Sequence, residues 1–103
     1  MIKYNKLIRD KVPTIMSSKE KNFSTHIASE EEYKEKLKEK LLEEVNEFLE
    51  RPCLEELADV QEVLNAIAYG MKITADELLR EMFEKSITHG IFKDKIILEW
   101  VEK

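Results

Sequence analysis

With 22 acidic and 17 basic side chains among 103 residues, the chain carries a net charge of −5 and is 38% charged, which argues against a general nucleic-acid or membrane surface. Its single cysteine, Cys53, excludes an internal disulfide. There is no apolar run near the ~20 residues of a membrane span and no apolar signal core around Arg9, Asp10 and Lys11, so the expectation is a cytoplasmic protein. The length suits one domain, 1–103, with a core modest enough that a second subunit is expected to cover part of its apolar surface.

In chain order, Pro13 suits the first turn of a short helix running through Ile15 and Met16, followed by a polar loop from Ser17 to Asn22. Phe23 to Ala28 alternates weakly and predicts a short strand. Ser29 with Glu32 has capping-box spacing and opens a helix over about Glu30–Glu50. After Pro52, a second helix is predicted from about Cys53 to Tyr69, with Gly70 as its stop. Thr74 with Glu77 repeats the capping box and opens a third, ending near Ile87. The tail Phe92–Val101 is β-branched and aromatic and predicts a terminal strand, paired with the one near Thr25 or with a partner chain. The fold class is therefore mainly α: an antiparallel bundle of three main helices with short terminal extensions, assembled as an oligomer.

The stretch Glu43–Asp59 sets two helical segments on either side of Pro52, each with a carboxylate pair at i, i+3 spacing. On a wheel of about 100° per residue, Leu37, Leu41, Val45, Phe48 and Leu49 define the apolar arc of the first segment. Glu44 falls inside it and Glu47 on its border, while Glu43 and Glu50 face away. In the second segment Glu56 lies at the inner edge of the arc, Asp59 just beyond, and Glu55 and Glu62 opposite. A short connection makes the two helices antiparallel neighbours and draws Glu44, Glu47, Glu56 and Asp59 together. Clustered, half-buried carboxylates repel, and an all-oxygen site for Mg²⁺, with Mn²⁺ as a substitute, relieves that repulsion. The plainer alternative is a solvated acidic face on a non-catalytic helical interaction module.

These motifs resemble the all-α nucleoside triphosphate pyrophosphohydrolase superfamily, which includes MazG, dimeric dUTPases and phosphoribosyl-ATP pyrophosphohydrolase. The family pattern Glu-Glu-x-x-Glu, then Glu-x-x-Asp, is met by Glu43, Glu44 and Glu47 and by Glu56 and Asp59. The opening Lys6-Leu7-Ile8-Arg9-Asp10-Lys11-Val12-Pro13 is similar to that of a subgroup labelled phosphoribosyl-ATP pyrophosphohydrolase-like. The chain departs from that subgroup after the third helix, where His89-Gly90-Ile91-Phe92 stands in place of Arg-Gly-Gly-Phe.

The resemblance implies cleavage between the α- and β-phosphates of a nucleotide by a homodimer or dimer of dimers, with house-cleaning of the nucleotide pool as the expected role. It implies metal binding by Glu44, Glu47, Glu56 and Asp59, with Glu44 or Glu47 also taking the proton from the attacking water, and Glu43 in support. Arg9, Lys11, Lys85 and Lys93 are the candidate phosphate contacts. Tyr69, Phe83, Phe92 and Trp100 are expected in the core or an interface rather than stacked on a base. An alternative within the same chemistry is phosphoribosyl-ATP hydrolysis in histidine biosynthesis. Other chemistries lack their residues: two glycines cannot build a phosphate loop, neither histidine follows a glutamate by three, and Cys53 has no base in a readable pattern.

Overall fold

The computed structural model describes residues 2–19 and 22–103. Four helices follow one another: α1 (Val12–Ser18), α2 (Glu30–Glu50), α3 (Leu54–Gly70) and α4 (Ala75–His89). Pro13 opens α1 as expected, but that helix runs on through Ser17 and Ser18, which the sequence placed in a loop. Glu20 and Lys21 of that loop lie outside the described residues.

Helix α2 starts where its cap dictates. Ser29 is extended and its hydroxyl accepts from the Glu32 backbone N–H at 3.2 Å, with Glu30, Glu31 and Glu32 against the positive helix end. The reciprocal half of the box is absent, because the Glu32 carboxylate instead meets His26 Nε2 at 2.9 Å. The helix stops at Arg51, whose φ of −140° and ψ of 78° leave the helical region, as a residue before proline must.

The end of α3 departs from expectation. Gly70 is the last helical residue, and the left-handed turn falls on Lys72, with φ 61°, tied by the Ile73 N–H to the Ala68 carbonyl at 2.9 Å. Helix α4 is closed by a complete capping box, in which Glu77 N–H donates to Thr74 Oγ1 at 3.1 Å and Thr74 N–H to Glu77 Oε1 at 3.3 Å. It ends at His89, beyond Ile87, and Gly90 follows with φ 81°.

Neither expected strand forms: 23–28 and 92–101 carry no strand among the described residues. A strand holds only against a partner. Here Ile27 is 97% and Phe92 fully exposed, and neither segment has a strand beside it among the described residues.

Packing is confined to α2 against α3, and no other helix pair meets beyond a marginal contact among the described residues. The expected three-helix bundle is thus a two-helix hairpin from which α4 stands apart. Only Leu37, Val63 and Glu44 are buried among the described residues. The radius of gyration is 18.3 Å, against about 13 Å for a compact chain of this length. No described helix is long and apolar enough to cross a membrane.

Candidate metal centre

The hairpin brings three of the four selected acids together. Glu44 projects from α2, and Glu56 and Asp59 project from the first turns of α3, one turn apart; one carboxylate oxygen of each lies within 4.8 Å of the others. That approaches the ~4.2 Å between oxygens on opposite sides of one Mg²⁺. Glu44 is 7% exposed, and Oε2 of Glu44 and Oε2 of Glu56 are both buried without a hydrogen-bond partner. Buried polar atoms are nearly always paired. Unpaired oxygens on two of the three clustered acids are compatible with a cation there.

Each of the three acids also meets one basic side chain. Lys40 Nζ lies 3.3 Å from Glu44 Oε1, Arg9 Nη2 donates to Asp59 Oδ1 at 2.8 Å, and Arg51 Nη2 donates to Glu56 Oε1 at 3.1 Å. These cations occupy one oxygen per carboxylate. Apart from the Arg9 bond, which carries the N-terminal segment across to α3, they come from α2 itself or the connection after it. The Glu56 hydrogen bond raises the pKa of exposed Arg51.

Glu47 sits outside the cluster: it is exposed, one turn further along α2 than Glu44. The adjacent Glu44 carboxyl, first through hydrogen bonding and then through charge, pushes the Glu47 pKa above the usual carboxylate range. Glu43, which the wheel turned outward, is half-buried and bridged by Lys6 at 2.8 Å and Lys40 at 3.3 Å. Burial pushes its carboxyl up, but the hydrogen bonds and charge of the two lysines outweigh this and leave it lowered. Lys6 is raised in turn, chiefly by its bond to Glu43.

A cleft of about 420 Å³ beside the acids is lined by Arg9, Lys11, Lys40, Glu44, Asp59 and Glu62, over a floor that includes Leu37 and Val63. Glu62 therefore shares the cleft with two of the acids despite its outward place on the wheel. Of the expected phosphate contacts, Arg9 and Lys11 border this cleft. Lys85 is exposed on α4, and Lys93 belongs to a separate hollow lined only by residues 89–97. Tyr69, Phe83, Phe92 and Trp100 are all more than 60% exposed, so none is a core residue in this chain.

Lys6, Lys40 and Arg51 were not among the residues singled out from sequence. Lys40 was findable, since it stands four before Glu44 on one helix and three before Glu43. Lys6 and Arg51 reach their partners through chain turns that spacing does not encode. No protein-family model matches the chain, and no curated protein or solved structure matches it.

Proposed function

We propose that this chain is a Mg²⁺-dependent nucleoside triphosphate pyrophosphohydrolase, releasing a nucleoside monophosphate and pyrophosphate. The observation that carries this reading is the gathering of Glu44, Glu56 and Asp59, with one oxygen of Glu44 and one of Glu56 buried and unpaired, beside a cleft edged with Arg9 and Lys11. The donor set is all oxygen and anionic, the chemistry that a hard divalent cation takes. The resemblance of the two acid pairs and of the opening segment to the pyrophosphohydrolase superfamily supplies the reaction.

Glu44, Glu56 and Asp59 would hold the ion, which would supply activation of a water and relief of phosphate charge. Glu47, exposed beside Glu44 and with its pKa pushed up, would accept a proton from the attacking water as its oxygen bonds to the α-phosphorus and the α–β bridging P–O bond breaks, pyrophosphate leaving. Arg9 and Lys11, which border the same cleft, would contact phosphate oxygens. Glu43 positions Lys6 and Lys40 around the acids.

A non-catalytic helical module remains the competing reading, favoured by the basic partner that each clustered acid already has. Calorimetric titration with Mg²⁺ and Mn²⁺ separates the two: the enzyme reading expects a saturable site that disappears in Glu56→Gln and Asp59→Asn. In the same variants, pyrophosphate release from a panel of canonical, deoxy and damaged nucleoside triphosphates should fall by at least about 100-fold, the upper end of what loss of a mere supporting residue costs. Unchanged turnover in both variants refutes the assignment. Phosphoribosyl-ATP in the same panel tests the histidine-pathway alternative.

A further inference from the structure

The cleft beside the acids is graded along its length. Its α3 wall is Asp59, Glu62, Val63 and Ala66, and its α2 wall is Glu44, Lys40, Leu37 and Tyr33. Each set recurs at three- and four-residue spacing, so each is one stripe of its helix. Glu44 and Asp59 meet at one end. Away from them the walls pass through Lys40 and Glu62 to an apolar stretch, where Leu37 and Val63 are 5% and 8% exposed and Tyr33 and Ala66 are half-buried. At 1.5 Å per residue, Glu44 to Tyr33 spans about 16 Å of helix.

Glu62 has no part in the chemistry derived above. It lies outside the cluster of Glu44, Glu56 and Asp59, and unlike those three it has no basic partner among the described residues. An exposed carboxylate in a cleft that takes phosphates repels them, so the groups that suit it are neutral donors. Ribose hydroxyls are such donors, and a carboxylate is a usual partner for them. One turn from Asp59, Glu62 stands between the acids and the apolar stretch, where the sugar of a nucleotide stands between its phosphates and its base. The cleft's volume of about 420 Å³ falls in the range of small-molecule sites.

The geometry points to a nucleoside subsite in the half of the cleft away from the acids, in which Glu62 accepts from the two ribose hydroxyls and Tyr33 stacks on the base beside Leu37, Val63 and Ala66. This rests on the hydrolase reading, in which the acids hold the phosphate end. Its consequence is sugar selectivity: a 2′-deoxy nucleotide loses one of the two hydrogen bonds to Glu62, so the site prefers ribonucleotides.

The test reads binding rather than turnover. With Mg²⁺ present, calorimetry of the full chain against α,β-methylene analogues of the common ribonucleoside triphosphates should give affinities at least about tenfold above those of their 2′-deoxy counterparts, as loss of a hydrogen bond to a charged group predicts. Glu62→Ala, an exposed helical position where alanine keeps the helix, should erase that ratio by weakening the ribose form alone. Tyr33→Leu should weaken both forms about fivefold or more and leave the ratio intact. Should Tyr33→Leu fail to fold, ring-proton shifts of Tyr33 on nucleotide addition report the stack in the wild type. Equal affinity for the two sugars, a ratio that survives Glu62→Ala, unmoved Tyr33 ring protons, or inorganic tripolyphosphate binding as tightly as a nucleotide each overturns the inference. A Glu62-dependent sugar ratio without pyrophosphate release from hydrolysable triphosphates supports the subsite and refutes the hydrolase reading, whereas pyrophosphate release with no sugar preference in binding refutes the subsite alone.

Discussion

The α2–α3 hairpin and helix α4 are built from similar residues but held by opposite means. The hairpin exists through contacts distant in sequence: α2 against α3 with Leu37 and Val63 buried, Glu44 near Glu56 and Asp59, and Arg9 reaching fifty residues along the chain to Asp59. Helix α4 is closed by hydrogen bonds spanning three residues, Thr74 with Glu77, and packs on no other helix beyond a marginal contact among the described residues. Local rules suffice to make a helix; they do not make a site. The acids that cluster, Glu44, Glu56 and Asp59, lie where two helices meet.

That contrast is most sharply broken at the core. Leu37→Ala should cost about 2–5 kcal/mol, and chemical denaturation followed by hydrogen exchange should show the loss concentrated in the hairpin. Equal loss of protection in α4 would mean the two regions unfold as one unit. Next in size, Thr74→Ala removes the hydroxyl that accepts from the Glu77 N–H, leaving only the backbone half of the capping box, and should cost about 1 kcal/mol. Its effect should appear as faster amide exchange in the first turn of α4, with Mg²⁺ affinity at the hairpin unchanged by calorimetry.

Smaller still is Arg51→Ala. The exposed guanidinium holds Glu56 Oε1 and would compete with an ion for it, so removing it should tighten Mg²⁺ binding by only a few-fold. Weaker Mg²⁺ binding in this variant would instead make Arg51 part of the site.

The smallest expected effect is one of pH on the metal-free protein. Glu47 has its pKa raised in the folded chain by Glu44, so in the window just above the ordinary carboxylate range the folded state binds more protons than the unfolded one. Stability therefore declines as pH climbs through that window and is regained as pH falls back through it. Thermal melts of Glu47→Gln should lack this decline, and saturating Mg²⁺ should abolish it in the wild type. Glu43 works in the other sense: its lowered pKa adds stability that is present above the ordinary carboxylate value and is lost as pH falls through the folded one.

Helix starts were legible because Ser29 and Thr74 act within one turn of themselves, and Pro52 dictates a break by its own ring. The end of α3 was less legible, because the left-handed turn fell on Lys72 and not on Gly70; the residue that takes a strained φ is chosen by where the chain must go next. The strands foreseen at 23–28 and 92–101 rested on composition, which speaks to how a side chain suits a sheet and not to whether a neighbour is there to complete one. At the acids, helical spacing alone selected Glu44, Glu47, Glu56 and Asp59, since period 3.6 and the apolar arc are properties of the chain, and the hairpin gathers all of these but Glu47. The same wheel set Glu43 and Glu62 outward, and both lie nearer the site than it allowed, Glu43 because Lys6 folds over it and Glu62 because the cleft wraps past the hairpin edge.

What the chain dictates unaided is whatever a few consecutive residues settle among themselves: the helices, their caps, the break at Pro52 and which side of each helix is apolar. Tertiary structure alone decided that Glu47 stands at the rim while two carboxylate oxygens are left buried and unpaired, that Arg9 and Arg51 each take one oxygen of the opposing acids, and that α4 keeps its apolar stripe uncovered. Burial and pairing across a turn depend on where distant segments come to rest, and spacing along one helix carries no record of that.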